Sequence, residues 1–448
     1  MVLIKNPLSG GGGGGGDIVN SIVQEYQAST SDVEAGTFVE FVNTIGDRTQ
    51  FDGSGTSISA EAVALEDGKV FVAFRKATYG DRYAVIATIS GGAVSFGTEV
   101  LLSTNVTQSY ANTYVDASPD KTKVLVFWRA KNNLNAVICC GVSGATITVG
   151  AEATLANGSD SFAGLGARGV EWLDDTRAFL GYAYAGAYAQ GAVATVASDL
   201  SITIGTATVL NSTAGMFDMK VLSPTRVVFV ENNTSGDSSI ASLYAYYATV
   251  NGDTISTTSR TSISVGSIDS FYSLNSGSRG TLVRINSTDA AALFVGRPYG
   301  RQSGIGLWSC RLSTSGSPIS AVSGNEIFGY GSTNGYASAI TGARVFAGSD
   351  GPYAVINYNS GSLKLAKLRP AISGVAIKEF QAIATGSSVN TYGGAIIGAN
   401  GLVFYGSSTK LYAYPLISQV KPAEIEISGL TKTEATTSSA GEVYVLNN

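Results

Sequence analysis

The sequence predicts an all-β fold: a seven-bladed β-propeller with a small β domain formed by the N- and C-terminal segments. The first observation is a unit at residues 57–103, where four short runs of β-branched and aromatic residues are joined by three polar turns. The second is that this pattern returns every 50–60 residues or so, at about the spacing of propeller blades. The third is composition, because 55 glycines and only 14% charged residues favour tightly turning, two-sided β structure over long helices.

The composition also excludes several functions. Histidine is absent, which removes imidazole-based triads and histidine-ligated zinc, and neither a metal nor a cofactor is expected. The net charge is −5 without a block of Lys or Arg, so the sequence predicts no nucleic-acid partner. No apolar stretch approaches the roughly 20 residues of a membrane helix, so no membrane insertion is expected. Lys5 is followed by Pro and Gly rather than by the apolar run of a signal peptide.

The three cysteines, Cys139, Cys140 and Cys310, are an odd and sparse set. They lie among apolar strand residues without CxxC spacing, which predicts buried free thiols in a reducing compartment. Neighbouring residues of a strand point to opposite faces, so Cys139 and Cys140 are not expected to form a disulfide with each other.

Residues 1–16 are expected to form a flexible, glycine-rich anchoring arm. The unbroken run Gly10–Gly16 has no side chains to pack, and no Gly-Lys-Ser/Thr follows it, so it is not a phosphate-binding loop. The short apolar head before it is interpreted as a segment that docks into a larger assembly. Its expected attachment residues are Val2, Leu3, Ile4, Pro7 and Leu8.

Residues 17–50 are assigned to the first part of the small β domain. Residues 18–28 fit a helical stripe as well as a less regular strand alternation. A strand from about Ser21 to Ala28 is favoured, because the chain that follows reads as β. A turn that ends at Gly36 then leads into a strand over Thr37–Val42.

Residues 51–417 are assigned to the propeller. The later units cover about 110–155, 165–210, 216–264, 279–328 and 336–384, and the last begins near 392. In the first three units the final run, at residues 94–102, 147–155 and 202–210, is predicted as a single strand. The seventh unit lacks a fourth strand, which is expected to come from Arg48–Gly53 or from Glu424–Ile427.

Residues 418–448 are assigned to the second part of the small β domain. They contain two strand-like runs and a turn at Ala440-Gly-Glu, which mirrors Glu34-Ala-Gly36 near the other end of the chain. Chain termini often lie close together in compact domains, so both ends are expected to build one domain.

These terminal motifs resemble those of tailed-bacteriophage virion proteins. The residues that carry the resemblance are Ile4-Lys-Asn-Pro-Leu-Ser-Gly, Glu34-Ala-Gly-Thr-Phe-Val-Glu-Phe-Val, Ile427-Ser-Gly-Leu-Thr-Lys-Thr and Ala440-Gly-Glu-Val-Tyr-Val. Thr37 departs from the pattern, which often has Asp after that glycine. The run Ala87-Thr-Ile-Ser-Gly, with the Phe-Gly-Thr-Glu-Val that follows, resembles propeller repeats of phage tail or appendage proteins. The resemblance implies a virion protein, assembled in the host cytoplasm as a homo-oligomer with other virion proteins as partners.

In a propeller, the loops that join second to third strands share one face, which is the usual binding face. Here these loops are the long, irregular ones. Aromatic rings offer stacking surfaces and guanidinium groups offer hydrogen-bond forks, so the loops are expected to bind a host-surface glycan or protein. The alternative is solvated loop tips that contact nothing. The candidate binding residues are Tyr79, Arg82, Arg129, Tyr188, Arg297, Tyr299 and Arg301.

Two sets of charged residues recur at fixed places in the units. Acids in the first strands would line a central channel, where they would bind Ca²⁺, act as a glycosidase pair or simply be solvated. Cations at the starts of second strands are expected to form rim salt bridges or to face the rest of a particle. The acids are Glu61, Asp116, Glu171 and Asp218, and the cations are Lys69, Lys123, Arg177 and Arg226.

The function predicted from these observations is that of a non-enzymatic phage virion structural protein of the tail-fibre or appendage type. It is expected to anchor through its N-terminal segment and to present the propeller for host-surface or glycan binding. The alternatives are a head or neck decoration protein with a purely structural role, and a glycan depolymerase. A depolymerase would need two channel carboxylates about 5–10 Å apart.

Overall fold

The computed structural model of the chain is all-β, and every element in its described residues is a strand. It divides into a large unit, Asp47–Pro415, and a small unit made of Met1–Gly46 and Leu416–Asn448. The structure describes residues 2–3, 25–28, 39–45, 49–51, 57–66, 68–76, 81–90, 93–104, 113–130, 134–156, 167–184, 188–211, 216–233, 242–263, 268–271, 282–298, 306–321, 325–328, 340–348, 351–358, 363–371, 374–384, 390–397, 400–407 and 410–422.

The large unit consists of antiparallel sheets that follow one another along the chain, and we number them in chain order. Sheets 1 to 4 share one topology, in which four strands pair in sequence and a fifth, short strand pairs with the third. Sheet 1 contains Ser57–Ala64, Lys69–Lys76, Arg82–Ser90, Ala93–Phe96 and Val100–Ser103. Sheet 2 contains Thr113–Ala117, Lys123–Arg129, Leu134–Ser143, Thr146–Val149 and Ala153–Ala156. Sheet 3 contains Ala167–Trp172, Arg177–Tyr184, Tyr188–Val196, Ile202–Ile204 and Thr208–Asn211. Sheet 4 contains Met216–Ser223, Arg226–Asn233, Ser242–Asn251, Thr254–Thr257 and Thr261–Ser262.

The later sheets vary this plan. In sheet 5 two short strands take the place of the first strand, and sheet 6 is a four-stranded meander. Sheet 5 contains Ile268–Phe271, Leu282–Arg284, Asp289–Pro298, Gly306–Ser313, Ser320–Ala321 and Asn325–Phe328. Sheet 6 contains Ile340–Gly348, Gly351–Tyr358, Leu363–Ala371 and Gly374–Ala384. Sheet 7 contains Asn390–Ile397, Asn400–Ser407, the first part of Lys410–Pro422, and Thr49–Phe51, whose Phe51 lies opposite Leu411.

The middle strands of these sheets are apolar on both faces, which explains why the sequence shows continuous hydrophobic runs rather than alternation. In the second strand of sheet 2, Val124, Val126 and Trp128 pack in a cluster with sheet 1. The intervening Leu125 and Phe127 pack in a different cluster with sheet 3. The same arrangement places cores between sheets 3 and 4 and between sheets 4 and 5. The core of the large unit is therefore a series of layers between successive sheets.

The final run of each early unit is two strands, which corrects the prediction of one. Residues 94–102, 147–155 and 202–210 each break at a glycine: Gly97, Gly150 and Gly205. At the break the glycine N–H donates to the carbonyl of the third strand, for example Gly150 to Cys139 at 2.8 Å. A Cβ at Gly150 would lie 2.6 Å from the carbonyl oxygen of Leu200, so the close approach of the next sheet requires glycine there.

The small unit pairs strands from both ends of the chain. Val39–Ile45 runs antiparallel to the second part of Lys410–Pro422, with Phe41 opposite Val420. Glu25–Ala28 pairs with that strand in parallel, which confirms a strand rather than a helix over these four residues. Val2–Leu3 pairs antiparallel with Glu25–Ala28. Residues 423–448, which contain the predicted tail strands and Glu424–Ile427, lie outside the described residues.

Candidate functional site

The predicted loop-face residues that the structure describes lie at strand ends. Arg82 begins the third strand of sheet 1 and Arg129 ends the second strand of sheet 2. Tyr188 begins the third strand of sheet 3. In sheet 5, Arg297 is the last residue but one of the strand Asp289–Pro298. All four flank the connection expected to carry the binding face. Tyr79, Tyr299 and Arg301 lie outside the described residues.

Arg82 and Arg129 do not project into solvent, which corrects their assignment to exposed loops. Arg82 is 0% exposed and Arg129 is 8% exposed. The guanidinium group of Arg82 donates a hydrogen bond to Oγ1 of Thr113 on sheet 2 and lies 5.5 Å from the ring centre of Trp128. A buried guanidinium needs such partners, so the contacts explain the position. Arg82 thus joins sheet 1 to sheet 2.

The acids of the first strands also connect successive sheets. Asp116 accepts a hydrogen bond from the backbone N–H of Trp172 at 2.8 Å. Glu171 accepts one from Val221 at 2.6 Å, and Asp218 accepts one from Leu282 at 3.1 Å. In each case the acceptor lies on the first strand of one sheet and the donor on a first strand of the next. The structure thus gives three of the four predicted channel acids a definite bonding role, and the fourth, Glu61, is 6% exposed.

Glu171 forms the centre of a charged cluster at this position. Its Oε1 lies 2.7 Å from Nζ of Lys220, an ion pair between sheets 3 and 4. Burial raises the pKa of Glu171 to about 7 against the pull of Lys220, and the nearby charge of Asp116 adds to the rise. Burial raises the pKa of Asp116 as well. Burial opposes the charge on Lys220, but the carboxylates of Glu171 and Asp116 outweigh it and raise the pKa of this amine.

Three of the four predicted cations at the starts of second strands donate hydrogen bonds to backbone carbonyls of the next sheet. Nζ of Lys123 donates to the carbonyl of Asp175 at 3.0 Å, and Arg177 donates to that of Gly252 at 3.2 Å. Arg226 donates to the carbonyl of Thr314 at 3.1 Å. The predicted rim salt bridge is present at Arg177, which lies 2.7 Å from Asp174 of its own turn. These contacts add a second set of connections between the sheets.

Sequence reasoning missed the turns that precede the second strands. Oδ1 of Asp174 accepts hydrogen bonds from the backbone N–H groups of Thr176 at 2.9 Å and Arg177 at 2.8 Å. Oδ1 of Asn286 makes the same contacts with Thr288 and Asp289, each at 2.8 Å. The signal was present as Asp/Asn-x-Thr directly before each strand, a pattern that forms side-chain turns.

A cavity of about 300 Å³ lies between the outer strands of sheets 3 and 4, and the sequence did not indicate it. Beside it, Nδ2 of Asn211 donates to both carboxylate oxygens of Glu231, at 2.5 and 2.6 Å. Arg260 donates to the same carboxylate at 3.1 Å, and its guanidinium lies 4.3 Å from the ring centre of Tyr244. The lining residues are Val209, Leu210, Asn211, Tyr246, Thr258, Ser259 and Arg260.

The thiols match their prediction. Cys139, Cys140 and Cys310 are free and buried, and Cys139 and Cys140 belong to clusters on opposite faces of sheet 2. Burial raises the pKa of both Cys139 and Cys310 to about 12, so these thiols stay protonated and unreactive near neutral pH. Across the described part of the chain, no group of three or more Cys, Asp or Glu residues is arranged to hold a metal ion.

The attachment residues are only partly described. Val2 and Leu3 lie opposite Tyr26 and Glu25 in the small unit, whereas Ile4, Pro7 and Leu8 lie outside the described residues. Among the described residues, no helix has the length and apolar character to cross a membrane.

No protein-family model matches the sequence, and no curated protein matches it. Solved structures with similar folds include the Nup133 β-propeller domain of Vanderwaltozyma polyspora, at 9% identity and a TM-score of 0.46, covering 86% of this chain and 99% of that chain. The N-terminal domain of Nup159 matches at 10% identity and a TM-score of 0.42, and the match covers 87% of this chain and 100% of that chain. The acylaminoacyl peptidase of Pyrococcus horikoshii matches at 10% identity and a TM-score of 0.44, covering 83% of this chain and 53% of that chain.

Proposed function

We propose that the chain is a non-enzymatic structural protein of a tailed-phage virion. It anchors through its N-terminal segment and small β domain, and it presents a seven-bladed β-propeller to a glycan or protein on the host surface. The terminal motifs that resemble virion proteins support the location. The loops between second and third strands, flanked by Tyr188 and Arg297, support the binding role. In the particle the chain acts as a homo-oligomer with other virion proteins.

Contacts between strands support the closed propeller. The first strands of successive sheets lie against each other, from Ser57–Ala64 of sheet 1 to Asn390–Ile397 of sheet 7. Asn390–Ile397 also lies against Ser57–Ala64, and Thr49–Phe51, which precedes sheet 1, pairs with sheet 7. A strand from the start of the chain would lock such a ring. Class averages of the purified protein by electron microscopy should show a disc with seven radial densities, and a layered sandwich would contradict this.

The observation that carries a binding role over a catalytic one is the engagement of the first-strand acids. Asp116, Glu171 and Asp218 each accept a backbone hydrogen bond from the following sheet. The oxygens of these carboxylates are engaged by the protein itself, which favours a binding role, because catalysis needs a carboxyl oxygen at the reacting bond.

Two experiments test this function. Gold-labelled antibody against the chain should decorate particles of the phage that encodes it, and the labelled position separates an appendage from a head or neck decoration protein. A particle without the label would overturn the virion role. The purified chain should bind host-surface glycans or whole host cells, and absence of both would overturn the receptor-binding role.

A glycan depolymerase is the second candidate, and one observation favours it. Burial raises the pKa of Glu171 to about 7, which is the range that a general acid needs at neutral pH. If the chain cleaves a host glycan, Glu171→Gln should abolish the release of new reducing ends. Cleavage that survives this substitution would assign the activity elsewhere, and no cleavage by the unmodified chain would remove this candidate.

A further inference from the structure

The cavity between sheets 3 and 4 has one apolar wall and one polar wall. Val209 and Leu210 form the apolar side, and Asn211, Ser259 and Arg260 contribute polar groups. Its volume of about 300 Å³ is at the lower end of the range of small-molecule sites. Val209 is 49% exposed, so this side chain stands at the mouth of the cavity, whereas Leu210 is buried. The space is therefore open to solvent and of a size for one small molecule.

The polar wall is held in place by buried contacts. Glu231 is 1% exposed, and its carboxylate is bonded by Asn211 and by Arg260. The guanidinium of Arg260 lies over the face of the Tyr244 ring. The negative charge of Glu231 and the positive charge of Arg260 cancel, so the wall is electrically neutral. It presents planar groups with fixed hydrogen-bond donors and acceptors.

Tyr246 supplies the observation that points to a ligand. This side chain is 1% exposed, lines the cavity and stacks on Phe229 at a centroid distance of 4.9 Å. Its hydroxyl group has no hydrogen-bond partner among the described residues. A buried hydroxyl without a partner costs free energy, and a hydroxyl group of a molecule bound in the cavity would supply the missing bond.

We propose that this cavity binds one neutral sugar unit, with Asn211, Tyr246 and Arg260 bonding its hydroxyl groups. Neighbouring sugar hydroxyls need donors and acceptors at fixed spacing, which planar amide and guanidinium groups provide. The apolar side at Val209 and Leu210 suits the C–H face of a pyranose ring. An anionic ligand is less suited, because the charge of Arg260 is already balanced by Glu231. The inference rests on the proposed function only in naming a host glycan as the source of the sugar.

A pair of matched variants tests the site in the full chain. Val209→Trp places a large ring at the mouth of the cavity, at a position that is already half-exposed. Leu101→Trp is the control, because Leu101 occupies the corresponding short strand of sheet 1 and is 47% exposed. Binding of glucose, galactose, mannose and N-acetylglucosamine is measured by saturation-transfer NMR and titration. Val209→Trp should weaken binding of the preferred sugar by at least about tenfold, and Leu101→Trp should leave it unchanged.

Tyr246→Phe separates a ligand contact from a structural role. The substitution removes a hydroxyl that bonds to no described residue, so the thermal stability of the free protein should stay the same or rise. The affinity for the sugar should fall by about fivefold, as expected for one lost hydrogen bond. Unchanged affinity in Val209→Trp, or no binding of any sugar by the unmodified chain, would overturn the proposal. Unchanged affinity in Tyr246→Phe alone would remove the hydroxyl of Tyr246 from the contacts.

The outcomes distinguish this site from the proposed function. If host glycans bind the chain and Val209→Trp has no effect, the cavity is not the site although the host-binding role stands. If a sugar binds the cavity and the chain is absent from particles, the cavity proposal stands and the virion role fails.

Discussion

The carboxylate of Asp174 organises a whole turn before the second strand of sheet 3. It accepts backbone hydrogen bonds from Thr176 and Arg177 and pairs with the guanidinium of Arg177. Burial opposes the charge on Asp174, but these hydrogen bonds outweigh it and hold the pKa of this carboxyl below its ordinary value. The side chain therefore acts as an ionised acceptor, and its loss leaves several donors without a partner.

Asp174→Ala should lower the free energy of unfolding by about 1–2 kcal/mol, because the freed backbone donors lose their acceptor. Urea denaturation at pH 7 measures the change. Asp175→Ala is the matched control in the same turn, since among the described residues its exposed carboxylate accepts only from the backbone of Asp120, at 3.3 Å. The control should change the stability by less than about 0.5 kcal/mol. Equal losses in both variants would contradict this account of the turn.

Glu171 should make the stability depend on pH. Its pKa is about 7 in the folded protein, against an ordinary value of 4.5. Between these values the folded state holds a proton that the unfolded state has lost. The stability that this group contributes is thus fully present below pH 4.5 and is lost as the pH rises through about 7. Asp116, whose pKa is also raised, acts in the same direction.

The test compares unfolding free energies across pH 4.5–7.5. Glu171→Gln should remove part of the decline seen in the unmodified protein, because glutamine does not titrate. Glu66→Gln, the same substitution at an exposed turn position, is the matched control. Parallel pH profiles for the protein and Glu171→Gln would show that Glu171 does not titrate in this range.

Residue positions could be predicted only where the cause is local. The burial of Cys139 and Cys140 follows from the apolar runs around them, and that prediction is confirmed. The burial of Arg82 depends on Thr113, which is 31 residues away along the chain and in another sheet. The cavity likewise combines Asn211 of sheet 3 with Tyr246 and Arg260 of sheet 4. The residue pattern of a single unit does not indicate which residues of another sheet it contacts, so these contacts could not be predicted from the sequence.

At the scale of elements, a glycine without a side chain leaves the space that the side chains of neighbouring strands fill. A Cβ at Gly191 would lie 2.4 Å from Cζ of Phe179 and 3.2 Å from Cδ1 of Leu210. The Phe179 ring therefore fills the space that a larger residue at Gly191 would need. This contact lies within sheet 3, between its second, third and fifth strands.

Gly191→Ala should destabilise the large unit by about 1–3 kcal/mol, because the buried Phe179 ring has to move. A lower melting temperature in calorimetry measures the effect. Gly316→Ala is the control, since its nearest neighbour would be the carbonyl oxygen of Pro318 at an ordinary 3.7 Å. If Gly191→Ala has the same melting temperature as the unmodified protein, the core accommodates the added methyl group without loss of stability, which would contradict this prediction.

The strands of the early sheets could be predicted closely because their apolar runs end in Gly, Asp, Asn or Lys. The predicted run Val124–Trp128 is the interior of the observed Lys123–Arg129, and Arg177–Tyr184 matches at both ends. The division of the outer strands could not be predicted. A run such as 147–155 keeps its β composition across Gly150, and the glycine at the break is explained by the close approach of Leu200 from the next sheet and of the Cys139 carbonyl.

At the scale of the whole molecule, the N-terminal segment should be separable from the body. Deletion of residues 1–16 removes a strand pair of the small unit, Val2 opposite Tyr26 and Leu3 opposite Glu25. The truncated chain should lose attachment to particles, measured by co-sedimentation, and should keep the main melting transition of the full chain. Attachment at the full level after truncation would rule out the arm as the anchor.

The hydrogen bonds of the first-strand acids bear on how a chain of repeated units can lengthen by gene duplication. Asp116, Glu171 and Asp218 each bond to the backbone of the following sheet, and a backbone amide is offered by any strand regardless of its sequence. A duplicated gene segment that encodes one unit would also encode the first-strand acid of that unit. This acid would find a backbone N–H to bond in any neighbouring sheet. Copies can therefore diverge in their loops and cores while the seams between them remain compatible.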